Sequence, residues 1–301
     1  MKNAIIIDLT KEESHFPLNN EPLHKISKFP DHQQDVWINP VLRDLVDHKI
    51  IIQAHFNSWL DLELIACAKA SLNEMGISNV ELYIPYFLGA RSDRKFSDGG
   101  TWYLKDVVCP IINSFKFKTV KVLDPHSDVL GNLIKNVRIV KNYEYVKEFI
   151  ESTKMALGYF DNEVCIISPD AGAEKKIYDT SSAIKFKGEV FSCYKVRNKE
   201  GRVEKTIVTQ DDFKGMHCFI VDDICDGGRT FIELSKELKK RNCGNVYLII
   251  SHGIFSKGID VLREHFTKVF CTNSISDIEC KDGFLVQTNV LYKNAIEHAK
   301  A

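Results

Sequence analysis

No run of this chain comes near the roughly 18 uninterrupted apolar residues that a membrane span requires. Its start, Met1-Lys2-Asn3-Ala4-Ile5-Ile6-Ile7-Asp8, is a short apolar stretch closed by an acid, with no signal-peptide core and no small-residue cleavage site. A cytoplasmic protein is expected. An excess of one charge is missing too: 40 Lys+Arg face 41 Asp+Glu, for a formal net charge of -1. No global field therefore exists to hold a nucleic-acid backbone or an anionic membrane, although local clustering can still bind a small phosphorylated ligand. CxxC pairs are absent as well. The nine cysteines stand singly, most of them inside apolar segments such as Val164-Cys165-Ile166-Ile167. That pattern excludes a disulfide framework or zinc ribbon and points to reduced, buried thiols. Low-complexity tracts and short-period repeats are also lacking.

The chain has 301 residues, 44% apolar and 27% charged, which is the balance of a folded globular protein. At about 150 residues per domain, two domains are expected. Short β-branched runs alternate with amphipathic stretches, the pattern of βαβ units around a mostly parallel sheet, so the fold class is α/β. Predicted strands are Ala4–Leu9, Lys49–Ala54, Val80–Ile84, Thr119–Leu123, Val164–Ser168, Met216–Val221, Asn245–Ser251 and Lys268–Thr272. Leu60, Leu64, Ala68, Leu72 and Met75 recur at helical spacing, as do Phe231, Leu234 and Leu238. The polar, turn-rich stretch Val137–Tyr143 is read as the boundary between two α/β blocks. From Lys195 to Gln210 the chain is highly charged around a central glycine, the composition of a solvated hairpin or of a basic lid over a phosphate site.

The sharpest signal is Phe219-Ile220-Val221-Asp222-Asp223-Ile224-Cys225-Asp226-Gly227-Gly228-Arg229-Thr230. An apolar strand delivers two adjacent acids, then a glycine turn, then a hydroxyl residue opening a helix. Glycines let backbone N–H groups curl around a phosphate, the helix N-terminus adds partial positive charge, and Thr230 can donate from its hydroxyl. Paired carboxylates accept from sugar hydroxyls or hold a metal-bound water.

This run resembles the ribose-phosphate loop of type I phosphoribosyltransferases and of phosphoribosyl pyrophosphate synthetases. Further segments favour the synthetases (ribose-phosphate pyrophosphokinases). Leu82-Tyr83-Ile84-Pro85-Tyr86-Phe87-Leu88-Gly89-Ala90-Arg91-Ser92-Asp93-Arg94-Lys95 is similar to their ATP-gripping cluster, with three cations within five residues after a strand. Val122-Leu123-Asp124-Pro125-His126-Ser127-Asp128 is similar to their metal-binding histidine motif, and Ser168-Pro169-Asp170-Ala171-Gly172-Ala173-Glu174-Lys175-Lys176 to their metal and ribose aspartate motif. Ser251-His252-Gly253-Ile254-Phe255-Ser256 and Thr272-Asn273-Ser274-Ile275 look like the family's closing strand-turn motifs. Phe29-Pro30-Asp31-His32-Gln33 falls where the family binds adenine across a subunit boundary, and Lys195-Val196-Arg197 resembles the start of its flexible catalytic loop. The motifs follow the family's order along nearly the entire chain, which is identified as a diverged member.

The resemblance implies two similar phosphoribosyltransferase-like domains: residues 1–140 binding ATP, and 141–285 binding ribose phosphate, with 286–301 packing back on the first. It implies transfer of the β,γ-diphosphate of Mg-ATP to the anomeric hydroxyl of ribose 5-phosphate, giving phosphoribosyl pyrophosphate and AMP. Lys195 and Arg197 would be catalytic; Phe29, Asp31, Gln33, Arg91, Ser92, Asp93, Arg94 and Lys95 would bind ATP. Asp222, Asp223, Asp226, Gly227, Gly228, Arg229 and Thr230 would bind the ribose phosphate, and His126 and Asp170 the Mg2+. A homo-oligomer is expected from the shared adenine site. Several positions depart from the pattern: Arg229 stands in place of a small residue in the phosphate loop, Ser92 in place of Gln, Gln33 in place of Glu, and Ala173 in place of Gly. These changes fall on recognition positions and raise a larger acceptor, ADP-ribose, as an alternative; phage relatives of the synthetases in NAD salvage are the parallel. A non-catalytic synthetase-associated subunit and a phosphoribosyltransferase that consumes the pyrophosphate are the remaining readings. Retention of Lys195, Arg197, His126 and Asp170 disfavours the first, and the Arg91–Lys95 cluster disfavours the second.

Overall fold

The structure, a computed structural model, describes residues 4–16, 20–45, 48–197 and 203–292; the side chains of 195–197 and 203–205 lie outside the description. The chain divides into two compact units, one of residues 1–140 with 274–276 and 290–301, the other of residues 141–273 with 277–289.

In the first unit, β1 (Ala4–Asp8) leads into an antiparallel sheet of β2 (Glu13–His15), β3 (Pro22–Lys28) and β4 (Gln34–Ile38). There follow β5 (Lys49–Gln53), α1 (Trp59–Glu74), β6 (Val80–Tyr83), α2 (Cys109–Ser114), β7 (Thr119–Leu123), α3 (Val129–Leu133) and β8 (Val137–Val140). Strands β1, β5, β6, β7 and β8 form an all-parallel sheet in that order. Their alternate residues Ile7, Ile50, Ile52, Val80, Leu82, Val120 and Val122 enter one core with Leu62, Ile65, Ala68 and Leu72 of α1. The buried stripe of α1 is thus shifted from the expected one: Leu60 is 51% exposed, because the i, i+3, i+7, i+10 row through Leu62 faces the sheet instead. α1 starts cleanly because Ser58 and Asp61 form a capping box, each side chain meeting the other's backbone N–H. β8 corrects the reading of Val137–Tyr143 as turn: Val137 and Ile139 pack on the core while Arg138 and Val140 face out, an edge strand whose mixed polarity imitates a loop.

The second unit comprises α4 (Tyr143–Leu157), β9 (Val164–Ser168), α5 (Glu174–Ile184), β10 (Glu189–Arg197), β11 (Val203–Val208), β12 (His217–Cys225), α6 (Arg229–Lys239), β13 (Val246–Gly253), β14 (Lys268–Thr272) and β15 (Leu285–Thr288). Its seven strands run in the order β11-β10-β9-β12-β13-β14-β15, parallel throughout except for the β10–β11 hairpin. Central strands buried on both faces read as continuous apolar runs, as Val246–Ser251 does, with every residue buried. Phe231, Leu234 and Leu238 of α6 join that core as their spacing predicts. All nine cysteines are free thiols, six of them buried. Among the described residues no helix is long and apolar enough to cross a membrane.

Candidate functional site

Strand order reverses in the second unit at β9: the chain passes from β9 outward to β10 and β11, then returns to pair β12 on the other side of β9. In open α/β sheets such a reversal leaves a crevice at the carboxyl ends of the two strands, where ligands bind. Both turns singled out in the sequence for this unit sit there. After β9, Asp170 accepts from the N–H of Ala173 at 3.1 Å through Oδ1, and Ser168 Oγ donates to the Asp170 carbonyl at 3.1 Å. These bonds close the Ser168–Ala173 turn just ahead of α5.

After β12 comes the glycine turn. The strand runs further than its apolar composition predicts, to Cys225 rather than Val221, because Ile224 and Cys225 stay in register with His252 and Gly253 of β13. Asp222 and Asp223 therefore lie inside the strand, with Asp223 only 6% exposed. Burial, and next the repulsion of Asp223, hold the Asp222 carboxyl well above the usual carboxylate range, while Lys176 pulls the other way. Gly228 caps α6 with φ of +76°. No backbone carbonyl among the described residues accepts from the N–H groups of Gly227, Arg229 or Thr230, so this first turn of α6 presents donors outward. Arg229 is exposed and Thr230 half-buried.

Beside this turn stand Ser256, which ends the Ser251–Ser256 motif, and Lys257, which the sequence reading missed. A Cβ on Gly227 would lie 3.4 Å from Cγ of Lys257 and 3.8 Å from Oγ of Ser256. The loop carrying them is tied down where the N–H groups of Ile254 and Phe255 both donate to the Cys225 carbonyl, at 2.9 and 3.2 Å. Lys257 was invisible in the sequence because its partner lies thirty positions away and is a backbone rather than a side chain. The closing motifs build this end of the sheet: Thr272 Oγ1 donates to the Ser251 carbonyl at 2.6 Å, and Asn273 Nδ2 donates to Asp277 and Asn289.

In the first unit, the cation cluster and His126 follow neighbouring strands, β6 and β7, at their carboxyl ends. The turn into the cluster needs Gly89: its φ is +81°, and a Cβ would stand 2.8 Å from the Tyr103 ring. Ala90 and Ser92 N–H groups bond back to Phe87 and Gly89; Arg91, Arg94 and Lys95 are exposed, and Ser92 and Asp93 half-buried. Arg94 also lies over the exposed Phe96 ring at 5.7 Å. His126 is exposed. Phe29 to Gln33 form the tip between β3 and β4, closed by Phe29 N–H to the Gln33 carbonyl and Gln33 N–H to Asp31 Oδ1. Phe29 is 49% exposed there. Lys195 and Arg197 lie on β10 by backbone, and their side chains fall outside the described residues. The charged 195–210 run is thus largely a hairpin, with Thr206 and Val208 buried.

The phosphoribosyl transferase domain family matches residues 137–292, more than half of the chain. The chain belongs to that family. This phosphoribosyl transferase domain protein is 25% identical over 257 residues to the ribose-phosphate pyrophosphokinase of Vibrio parahaemolyticus, covering 83% of this chain and 78% of the relative. It is 27% identical over 267 residues to ribose-phosphate pyrophosphokinase A of Dictyostelium discoideum, covering 84% and 78%. Among solved structures, the phosphoribosylpyrophosphate synthetase of Mycobacterium smegmatis superposes with a TM-score of 0.76 over 96% of this chain and 95% of that one, at 16% identity. The α/β fold with phosphoribosyltransferase-type domains, expected from the sequence, is that fold.

Proposed function

We propose that this phosphoribosyl transferase domain protein is a ribose-phosphate diphosphokinase. The observation that carries the reading is the pair of turns at the strand-order reversal, Asp170–Ala173 after β9 and Asp226–Thr230 after β12, the second with its donors turned outward. Phosphate binding at such a helix start follows from the unsatisfied N–H groups and the helix dipole. Similarity to ribose-phosphate pyrophosphokinases over four-fifths of the chain supports the assignment.

In this reading the N–H groups of Gly227, Arg229 and Thr230 hold the 5-phosphate, and Asp226 flanks it. Asp222 and Asp223 accept hydrogen bonds from the ribose hydroxyls. Arg91, Arg94 and Lys95 grip the triphosphate, with Ser92 and Asp93 beside them, and Phe29, Asp31 and Gln33 serve the adenine, which makes a homo-oligomer part of the proposal. The anomeric hydroxyl oxygen attacks the β-phosphorus and gives up its proton to solvent, the bond from the α–β bridging oxygen to that phosphorus breaks, and AMP leaves with that oxygen. Lys195 and Arg197 offset the negative charge that develops on the transferring diphosphate. The crowded Asp222–Asp223 pair suits a hard divalent cation, which would relieve its repulsion. His126 and Asp170 would hold Mg2+ with the nucleotide, where it would neutralise phosphate charge.

A second reading shares this chemistry with a larger acceptor. The exposed Arg229 stands in the phosphate turn and the stem of Lys257 lies against Gly227, so two cationic residues flank that turn. ADP-ribose offers a second phosphoryl unit there and a free anomeric hydroxyl. Incubation of the purified protein with Mg-ATP and either ribose 5-phosphate or ADP-ribose, with AMP release measured, separates the readings. AMP with ribose 5-phosphate supports the first; AMP with ADP-ribose alone replaces it by the second; AMP with neither overturns both.

A further inference from the structure

β10 changes partner halfway along its length. Glu189 to Ser192 pair in parallel with Cys165 to Ser168 of β9, and from Cys193 onward β10 pairs only with β11, antiparallel, from Cys193↔Val208 to Arg197↔Val203. Ser192 is therefore the last rung on the parallel sheet and the root of the hairpin that carries Lys195 and Arg197. It is 6% exposed, and both its polar groups are engaged across elements. Its hydroxyl donates to Oε1 of Glu174 at 2.7 Å, and its carbonyl accepts from Thr209 Oγ1, just past β11, at 2.9 Å. Glu174 opens α5 directly after the Asp170 turn, and Ser168, opposite Ser192 in register, closes that turn through Asp170.

We propose that Glu174 and Ser192 are positioning residues: their hydrogen bond clasps the root of the β10–β11 hairpin to the start of α5 and so fixes where the strand bearing Lys195 and Arg197 leaves the sheet, relative to the Asp170 turn. The inference rests on the diphosphate-transfer reading for its catalytic consequence and on geometry alone for the clasp. A hydrogen bond to a charged acceptor is the stronger kind, and its loss in a nearly buried spot leaves a carboxylate without its donor.

Amide hydrogen exchange and steady-state kinetics on the full chain test it together. Glu174→Ala and Ser192→Ala each raise exchange at the described amides of 193–197 and 203–208 by about tenfold, and the double variant raises it no further, because one bond is lost in all three. Glu174→Gln and Ser192→Thr, which keep an acceptor and a hydroxyl, stay near wild type and guard against variants that do not fold. In turnover kcat falls about tenfold in the two alanine variants with KM for ATP unchanged, since the nucleotide grip lies elsewhere. Unchanged exchange in both alanine variants, or a double effect equal to the product of the singles, overturns the clasp; raised exchange with unchanged kcat overturns its positioning role. If the wild-type protein transfers no diphosphate at all, the functional reading fails while the exchange result still decides the clasp.

Discussion

Gly228 holds a backbone that an L side chain resists, with φ of +76°, and a Cβ there would meet Cδ2 of Leu262 at 2.8 Å. Gly228→Ala is expected to destabilise the second unit by about 1–3 kcal/mol, through left-handed strain plus the clash, and to raise KM for the phosphorylated acceptor by tilting the first turn of α6. Chemical unfolding and acceptor titration check both effects. Substitution at Gly76, whose φ is +77° but which has open space around it, supplies the strain without the clash and without the acceptor effect. At this scale the proposed phosphate turn was legible because apolar strand, acids and glycines are contiguous in the chain. Ser192 and Lys257 were not, and Glu174 and Ser256 entered only as members of their motifs, because each gains its role from a neighbour far along the sequence, and a lone Glu or Lys at a helix start or turn looks like solvated surface.

The antiparallel sheet of the first unit hangs on His24 of β3. Its ring is fully buried, Nδ1 meets Ser14 Oγ of β2 at 2.6 Å, and Nε2 meets the Lys11 carbonyl at 3.2 Å. The carbonyl needs the proton on Nε2, so Nδ1 accepts from Ser14 and the ring is held neutral. Burial lowers the His24 pKa below the ordinary 6.5, outweighing the pull of Asp8 and Glu13. The unfolded chain therefore binds this proton first as pH falls, and the stability that the neutral ring supplies is complete above pH 6.5 and lost as acidity passes the folded pKa. His24→Gln is expected to cost about 1–2 kcal/mol at pH 7.5 and progressively less toward pH 5, because only the wild type has a proton to take up. Denaturant midpoints of the two proteins across that range measure the difference. This sheet was missed in the sequence, and so were β8, β15 and the parallel half of β10, whereas the charged β10–β11 run was read as a hairpin or a lid. Glu13-Ser14-His15 and Lys25-Ile26-Ser27 alternate polar groups with few apolar anchors, so they carry none of the continuous apolar signal that gave away the parallel strands Thr119–Leu123, Val164–Ser168 and Lys268–Thr272.

For the molecule entire, the proposed metal belongs to the nucleotide more than to the protein. Among the described residues no group of three or more His, Cys, Asp and Glu side chains could hold an ion, and magnesium commonly enters on phosphate oxygens with one or two protein ligands. Chelation with EDTA is accordingly expected to leave the thermal midpoint of the nucleotide-free protein unchanged, while ATP raises that midpoint only when magnesium is present. A midpoint that drops on chelation alone would reveal an ion already seated in the fold. The division of β10 between two partners carries one last consequence. Because Glu189 to Ser192 pair with β9 and not with β11, the register of β10 on the parallel sheet is set by rungs that lie outside the hairpin. Insertions, deletions or a grafted reporter peptide between Arg197 and Val203 leave that register alone, which makes the stretch the natural place for evolution, or an engineer, to retune the chemistry without rebuilding the scaffold.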